Sequence, residues 1–248
     1  MGLPFDLDDG AAAKAALGLI VLATDETMEP ELARIMPPEG AALYHARIPS
    51  APIVTPETLA QMEADMPIAA ALLPDRQFDV IGYGCTSGAT VIGPDVVAGI
   101  IGGARKTKAV TDPLTATIAA CRALGVRRIG FLTPYVADVS VAMRAKLEEA
   151  GLEIAAFASF EEGEERAVAR IAERSTLEAI KGLGRRDGVE AVFASCTNLR
   201  AFGIIEAAET ELGVPVLSSN LALGWDMLRR AGQSPRPGFS PRLLESLN

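Results

Sequence analysis

Two cysteines in this chain stand in matching surroundings. Asp79-Val80-Ile81-Gly82-Tyr83-Gly84-Cys85-Thr86-Ser87-Gly88 reads as a short apolar strand that runs into small residues and delivers a thiol. Glu190-Ala191-Val192-Phe193-Ala194-Ser195-Cys196-Thr197-Asn198 repeats the scheme, with an acidic residue six positions before the cysteine and a threonine after it. A strand-end thiol at a helix N-terminus is placed where backbone N–H groups stabilise a thiolate, and a thiolate serves as nucleophile or general base. One free cysteine alone would be read as a small buried hydrophobe. The repetition is what argues for chemistry at Cys85 and Cys196. The third cysteine, Cys121, lies mid-helix in an apolar setting and reads as structural.

The residues beside the two thiols fit an anionic substrate. Thr86, Ser87, Thr197 and Asn198 offer hydroxyls, an amide and backbone N–H groups that can hold a carboxylate or a developing enolate oxygen, and equally can cap helices. Tyr135 follows the end of another strand, placed to donate a hydrogen bond or a proton. Ser218, Ser219 and Asn220 form a further polar strand end. His45, on an apolar strand, reads as structural and Trp225 as core. No metal site is expected, because there is no CxxC and a single histidine supplies too few soft ligands. No cofactor is expected either: there is no GxGxxG or P-loop, and no GxSxG elbow.

Composition narrows the setting. The chain has 248 residues, 49% hydrophobic and 22% charged, with a formal net charge of -9. That is enough chain for one large α/β unit or two lobes, and the charge offers no basic stripe for nucleic acid. Three cysteines are not a disulfide framework. The first residues lack the basic region of a secretory signal, and no apolar run reaches the roughly 18 residues of a membrane span. A cytoplasmic protein with no membrane or nucleic-acid partner is the expectation.

The elements that must hold the thiols alternate. Apolar runs at 18–24, 43–48, 80–84 and 108–112 read as strands, as do 128–133, 152–157, 191–194 and 214–217. Helices are expected from Asp25 or Thr27 to Ile35, from Thr55-Pro56 to about Leu73 with a break near Pro67, around 95–102, and from 115 to Leu124. In the second half they follow Tyr135, run through Leu183, span 205–212 and run from Trp225 to Ala231. The loop from Pro49 to Pro56 is long enough to cover a site, and the acidic Glu161–Glu165 loop occupies the corresponding place later. Thr24 precedes Thr133 by 109 positions and Cys85 precedes Cys196 by 111, so the second half replays the first. The fold predicted is α/β, with two pseudo-symmetric βα lobes, each a short, mainly parallel sheet flanked by helices. Residues 14–113 with 221–248 would form the first lobe and 114–220 the second. Ligands of such sheets bind beyond the carboxyl ends of the strands, here in the cleft between the lobes.

This pattern resembles the aspartate/glutamate racemase superfamily. Gly84-Cys85-Thr86-Ser87, Thr133-Pro134-Tyr135 and Ser195-Cys196-Thr197-Asn198 are similar to its maleate isomerase and arylmalonate decarboxylase branch, over nearly the whole chain. Gly18–Asp25, Gly82–Gly88 and Ser195–Arg200 resemble, more narrowly, the ectoine-utilisation proteins of that branch. The resemblance implies cofactor-independent isomerase or racemase chemistry on a small carboxylate in a homodimer or homotetramer. Cys85 would add to an alkene and Cys196 would exchange a proton, with Tyr135 holding a carboxylate. In the decarboxylases of the branch only the second cysteine is kept, so Cys85 counts against simple decarboxylation. An amino-acid or ectoine-derived substrate and a non-catalytic binding protein are the other readings. Asp25 stands where maleate isomerases carry asparagine, and Glu165 aligns with a second such asparagine. Two carboxylates there would repel a dianion and would suit a substrate with a cationic centre.

Overall fold

The computed structural model describes residues 2–247. Its first half runs β1 (Ala15–Leu22), α1 (Met28–Leu32), β2 (Ala41–Ile48), α2 (Pro56–Ala71), β3 (Val80–Gly84), α3 (Thr86–Ile92), α4 (Pro94–Ala104), β4 (Val110–Thr111) and α5 (Pro113–Ala123). The second half runs β5 (Arg128–Thr133), α6 (Ala137–Glu149), β6 (Glu153–Ser159), α7 (Glu165–Val168), α8 (Glu173–Gly184), β7 (Ala191–Ala194), α9 (Ile205–Leu212), β8 (Val216–Ser218), α10 (Ser219–Ala231) and α11 (Arg242–Glu245). Two all-parallel four-stranded sheets result, ordered β2-β1-β3-β4 and β6-β5-β7-β8. Strand for strand the second repeats the first, as the 109- and 111-residue offsets predict. All eight residues of β1 and all five of β3 are buried, which is why these strands read as unbroken apolar runs.

Several element boundaries differ from expectation. The first helix closes at Leu32 and gives way to turns that carry Ile35 into the core. Helix α2 continues through Pro67, because Leu59, Met62, Met66, Ala69 and Leu73 form one buried stripe while Pro67 faces solvent. The carbonyl that loses its partner there is on the wet side, and packing outweighs the local cost. Helix α3 starts directly behind Cys85 and meets α4 at a 98° bend about Gly93-Pro94. No helix follows Cys196 directly; residues 197–204 turn irregularly into α9. Among the described residues no single helix is long and apolar enough to cross a membrane.

Helix α10 begins at Ser219, six residues before the expected start, with Ser218 Oγ capping it through Leu221 N–H at 3.1 Å. It leaves the second sheet and returns to the first, packing on β3, α1 and α5. The approach is close enough that a Cβ at Gly82 would lie 2.8 Å from Met227 Sδ. Thr111 Oγ1 donates to the fully buried Asp226 at 2.6 Å, which ties α10 to β4.

Candidate active site

Both thiols stand at carboxyl ends of central strands. Cys85 closes β3, caps α3 and accepts from Gly88 N–H at 3.2 Å, with Ser87 Oγ 3.7 Å from its sulfur. Gly88 is fixed by this arrangement: a Cβ there would sit 2.9 Å from Cys85 Sγ and 2.7 Å from Tyr83 Oη. Cys196 lies two residues past the end of β7 and accepts from Asn198 N–H at 3.3 Å. Its backbone has φ of +99°, a conformation that costs a side-chain-bearing residue on the order of 1–3 kcal/mol. Strain of that kind persists where surrounding contacts demand it, and here they do. Tyr135 Oη donates to Cys196 Sγ at 2.9 Å, and Cys196 N–H donates to Ser219 Oγ at 3.0 Å.

The two halves are stitched together around these thiols. Ser219 Oγ is also 2.8 Å from Thr86 Oγ1, so one hydroxyl touches both cysteine motifs. Asn198 is the main stitch. Its Oδ1 accepts from Glu26 N–H at 2.9 Å, and its Nδ2 lies within bonding distance of Glu165 Oε2 (3.0 Å), Glu165 O (3.1 Å) and Thr24 O (3.3 Å). Thr27 Oγ1 donates to the Asn198 carbonyl at 3.0 Å. The Asn198 amide is thus spent on holding loops. Over the site the Pro49–Pro56 loop meets the acidic loop of the other half: Val54 N–H donates to Gly163 O at 3.0 Å and Glu165 N–H to Pro52 O at 2.9 Å. The cavity beneath, lined by Leu22, Val54, Leu59, Met62 and Glu165, holds about 10 Å³. That is barely room for one water.

Electrostatics overturn one expectation. The sequence predicts stabilised thiolates, yet burial pushes Cys85 up to about 12 and Cys196 well above its ordinary range. The N–H groups of Gly88 and Asn198 oppose this, but desolvation outweighs them and the carboxyls of Glu165 and Asp25 add to it. Both cysteines therefore rest as neutral thiols. Burial also holds Tyr135 protonated, making it a donor to Cys196. Glu165 is raised by burial to about 7, and Asp25 is raised by burial against the opposing N–H groups of Met28 and Thr27.

Of the residues singled out in the sequence, Cys85, Ser87, Cys196, Tyr135, Thr86, Thr197, Asn198 and Asp25 all gather at this junction, and Glu165 joins them. Ser219 and Asn220 belong to it, whereas Ser218 serves α10. His45 lies on the exposed side of edge strand β2, and Cys121 and Trp225 are buried in helices α5 and α10. Glu31 escaped notice. Its carboxylate accepts from Ala201 and Phe202 N–H, each at 2.9 Å, and from Asn220 Nδ2 at 2.7 Å, clamping α1 to the turn after Cys196. Nothing in Met28-Glu29-Pro30-Glu31-Leu32 marks the second glutamate as buried.

Glu31 makes stability pH-dependent. Burial raises it from 4.5 to about 7, so the folded protein keeps a proton that the unfolded chain gives up. The associated stability is whole below about pH 4.5, declines as the pH rises to about 7, and stays lost above. Glu31→Gln is expected to shrink the difference in unfolding free energy between pH 5 and pH 8 by on the order of 2–3 kcal/mol. Urea unfolding of both proteins at the two pH values checks it, and an unchanged difference refutes it.

Known proteins share this fold. The family described as arylmalonate decarboxylase matches residues 17–244. Maleate isomerase of Nocardia farcinica is 26% identical over 222 residues, covering 86% of this chain and 88% of its own. The crystal structure of the Pseudomonas putida maleate isomerase with maleate, a cysteine-to-alanine variant, superposes with a TM-score of 0.84 at 25% identity, over 94% of this chain and 98% of that one. A cysteine-to-serine variant of the Nocardia farcinica maleate cis-trans isomerase, with a covalently bound succinylcysteine intermediate, gives 0.82 at 26% identity, over 93% and 98%. The match from residue 17 to residue 244 spans the strands, both cysteine motifs and the returning helix, and the chain belongs to the arylmalonate decarboxylase family.

Proposed function

We infer that this protein is a cofactor-independent isomerase that uses two cysteines on a small carboxylate, in the manner of a maleate cis-trans isomerase. The observation that carries the reading is the pairing of thiols: Cys85 and Cys196 end equivalent central strands of two repeated sheets and share one buried junction. The succinylcysteine intermediate of the Nocardia farcinica relative supports a covalent role for a cysteine. In the proposed cycle Cys85 Sγ bonds one alkene carbon and the π pair moves onto the adjoining carboxylate. Cys196 protonates the other carbon, and the proton displaced from Cys85 replaces the one Cys196 gave. The new single bond rotates, and the same steps in reverse expel Cys85. Tyr135 holds Cys196 for its transfer, and the backbone N–H groups after each cysteine receive carboxylate oxygens.

The test is turnover of small unsaturated and saturated carboxylates, beginning with maleate, in deuterated water. Deuterium is expected at the carbon beside a carboxylate, with Cys85→Ala and Cys196→Ala each slower by about 10³-fold or more. Full turnover in either variant would refute the two-thiol scheme; no turnover or exchange across the panel would favour a binding protein.

The narrower placing in the ectoine-utilisation subgroup rests on the 18–25, 82–88 and 195–200 motifs. Three free, buried cysteines suit a reducing, cytoplasmic setting. A homodimer or homotetramer is proposed from the family, and the exposed Ile68 of α2 and Leu72 just after it are available for such a contact. The lobe boundaries proposed remain 14–113 with 221–248, and 114–220.

A further inference from the structure

The junction around the thiols carries acid without base. Asp25 is 3% exposed; its Oδ1 accepts from Thr27 and Met28 N–H at 2.8 Å each, while its Oδ2 has no hydrogen-bond partner. Glu165 is equally buried and its Oε1 has only the Tyr135 hydroxyl, at 3.5 Å. Among the described residues no lysine, arginine or histidine is buried. The nearest cation to Asp25, Arg47, is spent on the carbonyls of Leu22, Ala23 and Asp25 and on Glu29. Arg170 is outside and paired with Glu26. An unpartnered buried carboxylate oxygen is costly unless something supplies its partner.

We propose that the substrate supplies it: a small carboxylate that also bears an ammonium or amidinium group, whose cationic nitrogen lies between Asp25 and Glu165 while its carboxylate takes the N–H groups behind the cysteines. This rests on the two-cysteine reading above and names the substrate class of that site. Charge balance favours it over a dicarboxylate. Two negative groups brought beside two buried carboxyls leave every charge uncompensated, whereas a zwitterion neutralises one of them. Activation points the same way. Asp25 and Glu165 both disfavour thiolates at Cys85 and Cys196; a bound cation offsets them, and a second substrate carboxylate would compound them.

Calorimetric binding of β-alanine, L-alanine and succinate to the full-length protein at pH 7.5 tests this. β-Alanine and succinate differ in carrying an ammonium or a carboxylate at the far end. At least one of the two amino acids is expected to bind about tenfold or more tighter than succinate, the scale of one buried charge-assisted contact. Asp25→Asn is expected to narrow that ratio about tenfold or more by weakening the amino acid and strengthening succinate. Glu165→Gln provides the same reading should Asp25→Asn not fold. Succinate binding as tightly as both amino acids, or ratios unmoved in the folded variants, overturns the proposal. Because binding needs no turnover, repeating the series in Cys85→Ser separates the two ideas: a preference kept there stands even if the isomerase reading fails.

Discussion

Cys196→Gly is expected to unfold at a higher urea concentration than Cys196→Ala, although both variants lose turnover. Elsewhere alanine outranks glycine, because glycine has more backbone freedom to lose on folding. At residue 196 the order inverts, since φ is +99° and only glycine adopts that backbone without strain. The expected gap is about 1–2 kcal/mol in favour of glycine. Turnover falls in both by about 10³-fold or more, because the proton-carrying sulfur beside Tyr135 is gone. Equilibrium unfolding and turnover of the two variants decide the matter, and an alanine variant as stable as the glycine variant would show that the backbone at 196 is unstrained. Cys85 provides the internal contrast: its φ of -147° is ordinary extended backbone, so there alanine should be the more stable replacement.

The second large effect is expected at Asn198. Its amide joins Glu26 and Thr24 of the first half to Glu165 of the second, and each of those bonds is buried or half-buried. Asn198→Ala leaves these groups unsatisfied at once, at an expected cost of about 3–4 kcal/mol. Asn198→Asp tests the same contacts differently, because it keeps the acceptor for Glu26 N–H but sets a third carboxylate against Glu165. Both should unfold at markedly lower urea than wild type, and Asn198→Asp should recover partly as the pH is lowered. A loss below about 1 kcal/mol in Asn198→Ala would mean that water replaces the amide.

Legibility in the sequence divided along physical lines. Elements whose identity is set by local pattern were readable: β1 and β3 by their unbroken apolar runs, α2 by Thr55-Pro56, and the repeat by the matched cysteine offsets. The site residues were readable because small polar residues at strand ends have few reasons to be there. Glu31 and the full role of Asn198 were not, since Ala201 for Glu31 and Glu26 for Asn198 lie 170 or more residues away and no local rule announces such contacts. The state of the thiols was misread for a similar reason. A helix N-terminus can be read from spacing, but desolvation by the 49–56 and 161–165 loops depends on how the two halves close. Pro67 misled because a helix breaker is judged locally, while the stripe it interrupts is held by packing.

The return of α10 to the first sheet also bears on how the chain is made. The strands β1 to β4 are finished at Thr111, yet the helix that packs on β3 begins at Ser219, roughly a hundred residues later. By then every strand of the second sheet has been synthesised. The earlier-made sheet therefore waits, with apolar surface at Gly82 and its neighbours uncovered, while the later-made one acquires its full set of strands. The order in which the two sheets can be covered runs against synthesis order, and between Thr111 and Ser219 a nascent chain of this topology exposes apolar surface to unproductive association.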